Sequence, residues 1–484
     1  MAAGRLVLLL IFVSTAIRLW LAAATGLGYD ESYMVGNARE FALSYVDHPP
    51  LHVWIAGLAM RLFDSEAPFV VRLPFVLLFA GSTWLMFQLA GRMFGERAGL
   101  WAATALTLTP IFSVAFGTFV LPDGPAIFFL LAAALFLARI LFHQPPPERP
   151  LLWWGVVGLC TGLALLSKFN AAFFPLAVLA YLITADRWRL ATLGPWFAAV
   201  VALVVFSPAI IWNAQHGWIG IAFQAERVGG SGLRLDTFAA QVGGELAYLS
   251  PWLAVPYAIA LWQAFARGPA EPRGWLLALA AIGPIALFTL LTLHTGGLPH
   301  WTMPGWLFAI PLFGRGAAAL SPRFARAYIA VAAAIFAIVF GAFGVQALRG
   351  GLIPASIIAA SAAADPTADL VDWTELKPAL AGHDLIAAPH WTIAAKASYA
   401  AGPSVTTLCL CRSPQQFAFR ADPNAWAGHD ALVILPSGDA SALADTAAYF
   451  DVLEPLGSVA ITRNGVTLLT LDLKLGKSLH FPAK

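Results

Sequence analysis

The sequence predicts a polytopic α-helical membrane protein that ends in a small soluble α/β domain. Three observations predict it. Hydrophobic residues make up 60% of the 484-residue chain and charged residues only 11%, against about 25% charged in soluble domains. Apolar runs suited to crossing a bilayer, some short or interrupted, follow one another up to about residue 344. Beyond it the runs shorten, Asp, Pro and Gly return, and β-type stretches appear. The net charge of +2 names no partner, and nothing resembles a nucleic-acid surface.

Eleven crossings are expected, near 6–24, 67–90, 99–119, 124–142, 151–167, 170–185, 192–212, 244–266, 275–293, 302–314 and 325–344. Ser167-Lys168 splits one apolar block between the fifth and sixth, and the tenth is short. Arg5 precedes the first run, which is read as a retained helix rather than a cleaved signal because it is long enough to span. With Arg5 inside, alternate loops hold Arg92 and Arg97, Arg139 and Arg149, Arg187 and Arg189, Arg267 and Arg273, and Arg315, Arg323 and Arg326. The opposite loops carry fewer bases for their length, so those alternate loops are assigned to the cytoplasm.

Acidic residues then sort to the outer side. The first outer loop holds Asp30, Glu31, Glu40, Asp47, Asp64 and Glu66, and later outer segments add Asp123, Glu226, Asp236 and Glu245. Within that loop, 31–45 has an amphipathic helical pattern, and Pro49-Pro50 opens a second helix, LHVWIAGLAMRLF. Both are expected to lie in the interface plane. The domain from 345 to 484 is expected outside the cytoplasm, with strands in SVTTLCL, ALVILP, VAITRNG and VTLLTLDL and helices over 372–381 and near 390–400. Cys160 lies in an apolar segment, and Cys409 and Cys411 are read as ordinary packing residues on one face of a strand.

Carboxylates and cations gathered at one membrane face suit a reaction on a membrane-bound substrate. Asp30 or Glu31 is the candidate general base, and His48, Lys168, Arg227 and His300 are candidate ligands for an anionic leaving group. Asp123 stands between two apolar helices, where an unpaired carboxylate is costly. Pro-Asp-Gly-Pro is also good turn chemistry, so both readings stay open. Lys168 is either a snorkelling residue or a ligand. Asn213, Gln215 and His216, followed by Gln224 and Arg227, form a polar patch, and His294 and His300 are open to the same two readings. No pair has zinc spacing.

The motifs YDESY, DHPPLHVW, VRLP, GRMFGERAGLWAA, LPDGPAIFF, ALLSKFNA, WNAQHGW and PHWTMPGW resemble those of the GT-C glycosyltransferases. The resemblance is to the protein mannosyltransferase and aminoarabinose transferase group and its bacterial family 39 branch. It runs from Arg5 to about Pro455, and it implies a GT-C fold. It further implies an inverting transfer of a sugar, outside the cytoplasm, from a polyprenyl phosphate, undecaprenyl phosphate above all. The expected acceptor is a hydroxyl or phosphate of a cell-envelope molecule such as lipid A, lipopolysaccharide or another lipid or glycan, with a hopanoid, a polysaccharide and a protein hydroxyl equally open. By residue matching, the first-loop base falls on Asp30, with Glu31 beside it, and the second acidic site on Asp123. Asp30 and Asp123 are then expected to serve one site. Asp47, His48, Lys168, Asn213, His216, Arg227 and His300 are the expected donor and substrate contacts.

There is one departure from the pattern. Aminoarabinose transferases carry Glu-Lys-Pro-Pro where this chain has Asp47-His48-Pro49-Pro50, and their lysine contacts the lipid phosphate. His48 serves that role only when protonated or donating a hydrogen bond, and Lys168 and Arg227 are the permanent charges. Some related enzymes use a divalent metal; Asp30, Glu31 and Asp123 are the residues that would hold one, which spacing does not decide. The rival reading is a transporter or flippase of a lipid-linked sugar. Transporters tend to show inverted repeats and mid-membrane ionisable groups, and neither stands out here.

Overall fold

The computed structural model describes residues 2–145, 148–227, 229–230, 232–360 and 364–481. The chain forms two compact units. One holds residues up to Leu19, Leu43–His52 and Leu73–Ile338; the other holds Trp20–Ala42, Val53–Arg72 and the chain from Val339 onward.

This is a multi-pass membrane protein. Among the described residues, seven helices are long and apolar enough to cross a membrane: Ala3–Ala24, Pro68–Phe94, Asp123–Phe142, Pro150–Ser167, Leu193–Gln215, Pro272–Leu291 and Pro322–Arg349. Each overlaps an expected crossing. The other four expected crossings are broken or short. Helix Glu96–Leu108 and segment Ile111–Thr118 are bent by 77°, because Pro110 disfavours helical backbone at Thr109, which adopts φ −82°, ψ 115°. The stretch expected at 244–266 breaks at Ser250 (φ 69°, ψ 128°), just before Pro251. Helices Phe173–Ala185 and Met303–Ala319 have 13 and 17 residues, about 20 and 26 Å against a hydrocarbon core of about 30 Å. Length and composition thus support seven unbroken crossings, or eight with the bent pair as one, rather than all eleven expected.

The first unit is built by close helix contacts. Gly158 and Gly162 let helix Pro150–Ser167 approach helix Leu193–Gln215 so closely that a Cβ on Gly158 would lie 2.3 Å from the Ala198 carbonyl oxygen. Helix Pro150–Ser167 then ends as Lys168 turns to extended backbone (φ −155°, ψ 134°). Arg18, buried at 3% exposure, donates to the Ser113 carbonyl and hydroxyl at 2.8 Å each. Its guanidinium also lies 4.2 Å from the Phe79 ring centroid. Ser113 belongs to a π-helical turn, Ile111–Ala115, at the bent span.

The second unit is organised on a five-stranded sheet, β1 Leu385–Ala388, β2 Thr406–Cys409, β3 Ala431–Pro436, β4 Phe450–Arg463 and β5 Val466–Leu479. Its order is β2-β1-β3-β5-β4. Strand β1 runs parallel to β2 and β3, while β5 runs antiparallel to β3 and β4. Asn464 and Gly465 supply the two positive φ angles (47° and 80°) of the β4–β5 turn, as a two-residue hairpin requires. Leu385, Ala387, Leu408, Val433 and Leu435 form its core.

Three expectations change here. The helix expected at 31–45 is Tyr29–Ala38, and Glu31 to Ala38 are buried, because helix Trp391–Ala401 and Phe417 cover it: Tyr33 lies 5.6 and 5.7 Å from the Trp391 and Phe417 rings. The helix expected at 372–381 shrinks to a 3-10 turn Thr374–Leu376 and one α turn, Lys377–Leu380. Cys409 and Cys411 are joined by a disulfide, which corrects their reading as packing residues. Strand β2 ends at Cys409, so the chain bends and brings the two Cα atoms to 5.3 Å instead of the roughly 6.6 Å of two strand steps. The helix expected at 51–63 is observed at Leu51–Phe63.

Candidate active site

In the second unit the acidic turn at Asp30 and Glu31 opens helix Tyr29–Ala38, where carboxylates suit the positive end of the helix dipole. Glu31, 2% exposed, accepts from Arg72 Nε at 2.8 Å through Oε1 and from Arg72 Nη2 at 2.5 Å through Oε2. Its Oε2 also accepts the Gly28 N–H at 3.0 Å. Arg72, with no exposed surface, further donates to the carbonyls of Ala22, Thr25 and Gly26 and to the Thr25 hydroxyl. Glu31 is therefore committed to holding the loop, and Asp30 stands beside it on the same helical turn.

In the first unit, Asp123 begins helix Asp123–Phe142 and is 4% exposed. Lys168 Nζ donates to its two oxygens at 2.7 and 2.8 Å. This lysine stands at the break after Ser167, in extended backbone. Next to Lys168, Asn170 donates to the Trp301 carbonyl at 3.2 Å and so ties this turn to the segment Pro299–Thr302 that carries His300.

Four further groups act on His48. Its ring lies 5.7 Å from that of His52, edge to face. Burial foremost, then His52, Lys168, Arg227 and His300, hold its pKa well below the ordinary histidine value. His300 is lowered by burial, then by Lys168 and Arg227. His52, fully buried, is pushed down to about 3, by burial first and Lys168 second. The structure thus brings His48, Lys168, Arg227 and His300 together and adds His52, which sequence reasoning missed; its signal was the i, i+4 spacing from His48. Arg227 caps helix Ile219–Glu226 and packs over Phe223 at 4.3 Å.

Asp47 is buried, and its carbonyl accepts Gln224 Nε2 at 2.6 Å. Asn213 and His216 finish helix Leu193–Gln215. Asn213 donates to Ala209 O at 2.9 Å, while His216 Nδ1 lies 2.7 Å from Trp212 O and its ring stacks on Trp212 at 4.2 Å. Both serve the helix end. As metal ligands, Glu31 and Asp123 fit poorly, since their oxygens are taken by Arg72 and Lys168. Among the described residues no three His, Cys, Asp or Glu side chains are grouped to hold a metal ion.

Two cations stand near three imidazoles whose protonation is disfavoured, with one carboxylate balancing the lysine, an arrangement whose chemistry suits an anion. Comparison with known proteins agrees in fold. Residues 47–212 match the family model for dolichyl-phosphate-mannose-protein mannosyltransferase. The lipid A galacturonosyltransferase RgtD of Rhizobium johnstonii is 27% identical over 297 residues, 59% of each chain. The undecaprenyl phosphate-alpha-4-amino-4-deoxy-L-arabinose arabinosyl transferase of Pectobacterium atrosepticum is 30% identical over 170 residues, 34% of this chain and 30% of that one. The matched region thus spans less than two thirds of these curated relatives. The crystal structure of ArnT from Cupriavidus metallidurans bound to undecaprenyl phosphate superposes with a TM-score of 0.67 at 18% identity, covering 100% of both chains. The helical bundle and the C-terminal sheet domain share the fold of ArnT, and residues 47–212 match the mannosyltransferase family model, so this chain is similar to the GT-C glycosyltransferases in fold.

Proposed function

We propose that this protein is an inverting glycosyltransferase. It moves a sugar from a polyprenyl phosphate, undecaprenyl phosphate by preference, to a hydroxyl or phosphate of an envelope acceptor such as lipid A or lipopolysaccharide. The observation that carries the reading is the group of His48, His52, Lys168, Arg227 and His300. The relatives named as lipid A galacturonosyltransferase and aminoarabinose transferase support it, as does the fold shared with ArnT.

The chemistry follows from the leaving group. A polyprenyl phosphate departs as a stable anion, so the reaction needs cations at the phosphate and a base at the nucleophile, with no strong general acid. Lys168 and Arg227 are the proposed charge partners of that phosphate; His48, kept neutral, donates a hydrogen bond. Asp123 holds the Lys168 ammonium in place. Asp30 is the proposed base. The acceptor oxygen attacks the anomeric carbon, its proton passes to Asp30, and the bond from that carbon to the phosphate oxygen breaks. That Asp30 and Asp123 serve one substrate is part of the proposal. So is the setting: the bacterial inner membrane, with residues 345–484 and the reaction on the periplasmic side. Helix Leu51–Phe63, with Leu58, Leu62 and Phe63 exposed, is proposed to lie at the membrane interface.

The test is transfer in proteoliposomes, with undecaprenyl-phosphate 4-amino-4-deoxy-L-arabinose and a polyprenyl-phosphate galacturonic acid as donor probes and lipid A as acceptor. Asp30→Asn is expected to abolish transfer from the donor that the wild type uses while leaving donor binding intact. Movement of either donor across the bilayer by the wild type, with no new glycosidic bond, would replace this reading with that of a flippase.

A further inference from the structure

The loop between Thr25 and Gly28 precedes the acidic turn, and its backbone groups are claimed by residues far away in the chain. Arg72 donates to the Thr25 and Gly26 carbonyls. The Leu27 N–H donates to Asp372 Oδ1 at 3.1 Å. The Leu27 carbonyl accepts from Lys396 Nζ. Gly26 has to be glycine for this approach, since a Cβ there would lie 2.5 Å from Asp372 Oδ1.

Lys396 is the unusual member of the set. It sits on helix Trp391–Ala401 of the sheet domain and is 1% exposed. Besides Leu27, its ammonium donates to the carbonyls of Asp369 at 2.5 Å and Val371 at 2.9 Å. Three N–H donors thus meet three carbonyls, one each, with the Tyr29 ring 5.5 Å away. A buried lysine carries a large desolvation cost, so an apolar residue would serve better if packing were its only task. What this lysine does is fasten Leu27, and hence the Gly28 cap of helix Tyr29–Ala38, to the 369–371 segment of the sheet domain.

We propose that Lys396 is a positioning residue for the acidic turn: its ammonium, by holding the Leu27 carbonyl, sets where the Asp30 carboxylate stands. The inference rests on the reading of Asp30 as the base. It makes the C-terminal domain a working part of the transferase. Burial first, and then the attraction of Asp372, Asp369 and Glu31 set against Arg72, leave Lys396 with a pKa of about 8. The acidic neighbours raise it; burial and Arg72 lower it. Below that pH the ammonium has a donor for every carbonyl. Above it the amine has two N–H groups, and one carbonyl loses its partner.

The full-length protein carries the test, with amide hydrogen exchange as a readout independent of turnover. Lys396→Met is expected to raise exchange across 25–32 by about tenfold or more and to lower kcat by about tenfold to a hundredfold, while donor KM moves less than about threefold. Wild-type kcat is expected to fall with an apparent pKa near 8, and Lys396→Arg, which keeps its charge, to abolish that alkaline limb. Unchanged exchange over 25–32, or unchanged kcat, in Lys396→Met overturns the proposal. If Lys396→Met does not fold, Lys396→Arg decides, and an alkaline limb left in place overturns it. The parent reading fails separately: an active Asp30→Asn enzyme removes the base, whereas an inactive Asp30→Asn beside a wild-type-like Lys396→Met removes only the positioning role.

Discussion

Lys168 Nζ stands 2.7 and 2.8 Å from the two carboxylate oxygens of Asp123, and both side chains are buried. A buried pair of this kind costs more to halve than to delete, because the surviving charge keeps its desolvation penalty. Lys168→Met alone or Asp123→Asn alone is therefore expected to destabilise the protein by about 3–5 kcal/mol. The double variant should recover much of that loss and remain inactive. Thermal unfolding in detergent, run beside the transfer assay, checks both halves; equal destabilisation in single and double variants would refute the pairing argument.

Glu31 and Arg72 form the corresponding pair in the second unit, and here the prediction separates structure from catalysis. Arg72 reaches Glu31 through Nε and Nη2 and four other acceptors through Nη1 and Nη2. Lysine cannot reproduce that geometry. Arg72→Lys is expected to cost about 2–4 kcal/mol, close to the cost of Arg72→Met. A stability near wild type in Arg72→Lys would show that a point charge suffices.

At the proposed phosphate site, the permanent charge should outweigh the imidazole. Arg227→Met is expected to weaken binding of undecaprenyl phosphate by about tenfold to a hundredfold, as for a lost charge-assisted hydrogen bond. His48→Gln should cost less than about tenfold, since burial and the nearby cations keep His48 neutral. Titration in nanodiscs compares the two, and the reverse ranking argues against Lys168 and Arg227 as the charge partners.

His52 gives stability a pH dependence of definite sign. Its folded pKa of about 3 lies below the ordinary 6.5, so between those values the unfolded chain binds more protons than the folded one. Stability must then fall as pH drops below about 6.5, by up to roughly 1.4 kcal/mol per unit. His52→Gln should flatten that slope. Thermal melts at pH 7, 6 and 5 test it, and an unaltered slope in the variant would assign the acid sensitivity elsewhere.

The disulfide predicts a thiol count. Cys409 and Cys411 are bonded and Cys160 is free and buried, so the denatured, unreduced chain should show one reactive thiol and the reduced chain three. Three thiols before reduction would return the pair to its earlier reading.

Much of the membrane portion was legible in the residues. A stretch such as Leu193–Gln215 announces itself because a bilayer has no water to offer exposed peptide groups, so a long apolar run has few alternatives to a helix. The breaks were partly legible, since Pro110 and Pro251 are visible, but the sequence does not show that Thr109 and Ser250 would leave the helix ahead of them. Strand β1, four residues reading LIAA, is too short for its period to register. The extent of helix Tyr29–Ala38 was misjudged because its covering surface, Trp391 and Phe417, lies hundreds of residues away.

At the site the division is sharper. The candidate residues Asp30, Glu31, His48, Asp123, Lys168, Arg227 and His300 could be chosen from the sequence alone, because ionisable groups are rare in this chain and costly beside apolar helices. Their partners could not. Only the folded chain matches Arg72 to Glu31, Lys168 to Asp123 and Lys396 to the Leu27 carbonyl. Hydropathy is a property of neighbours in sequence and is readable one window at a time, whereas a buried charge takes whichever acceptor packing leaves within about 3 Å, and packing is settled by the whole chain at once.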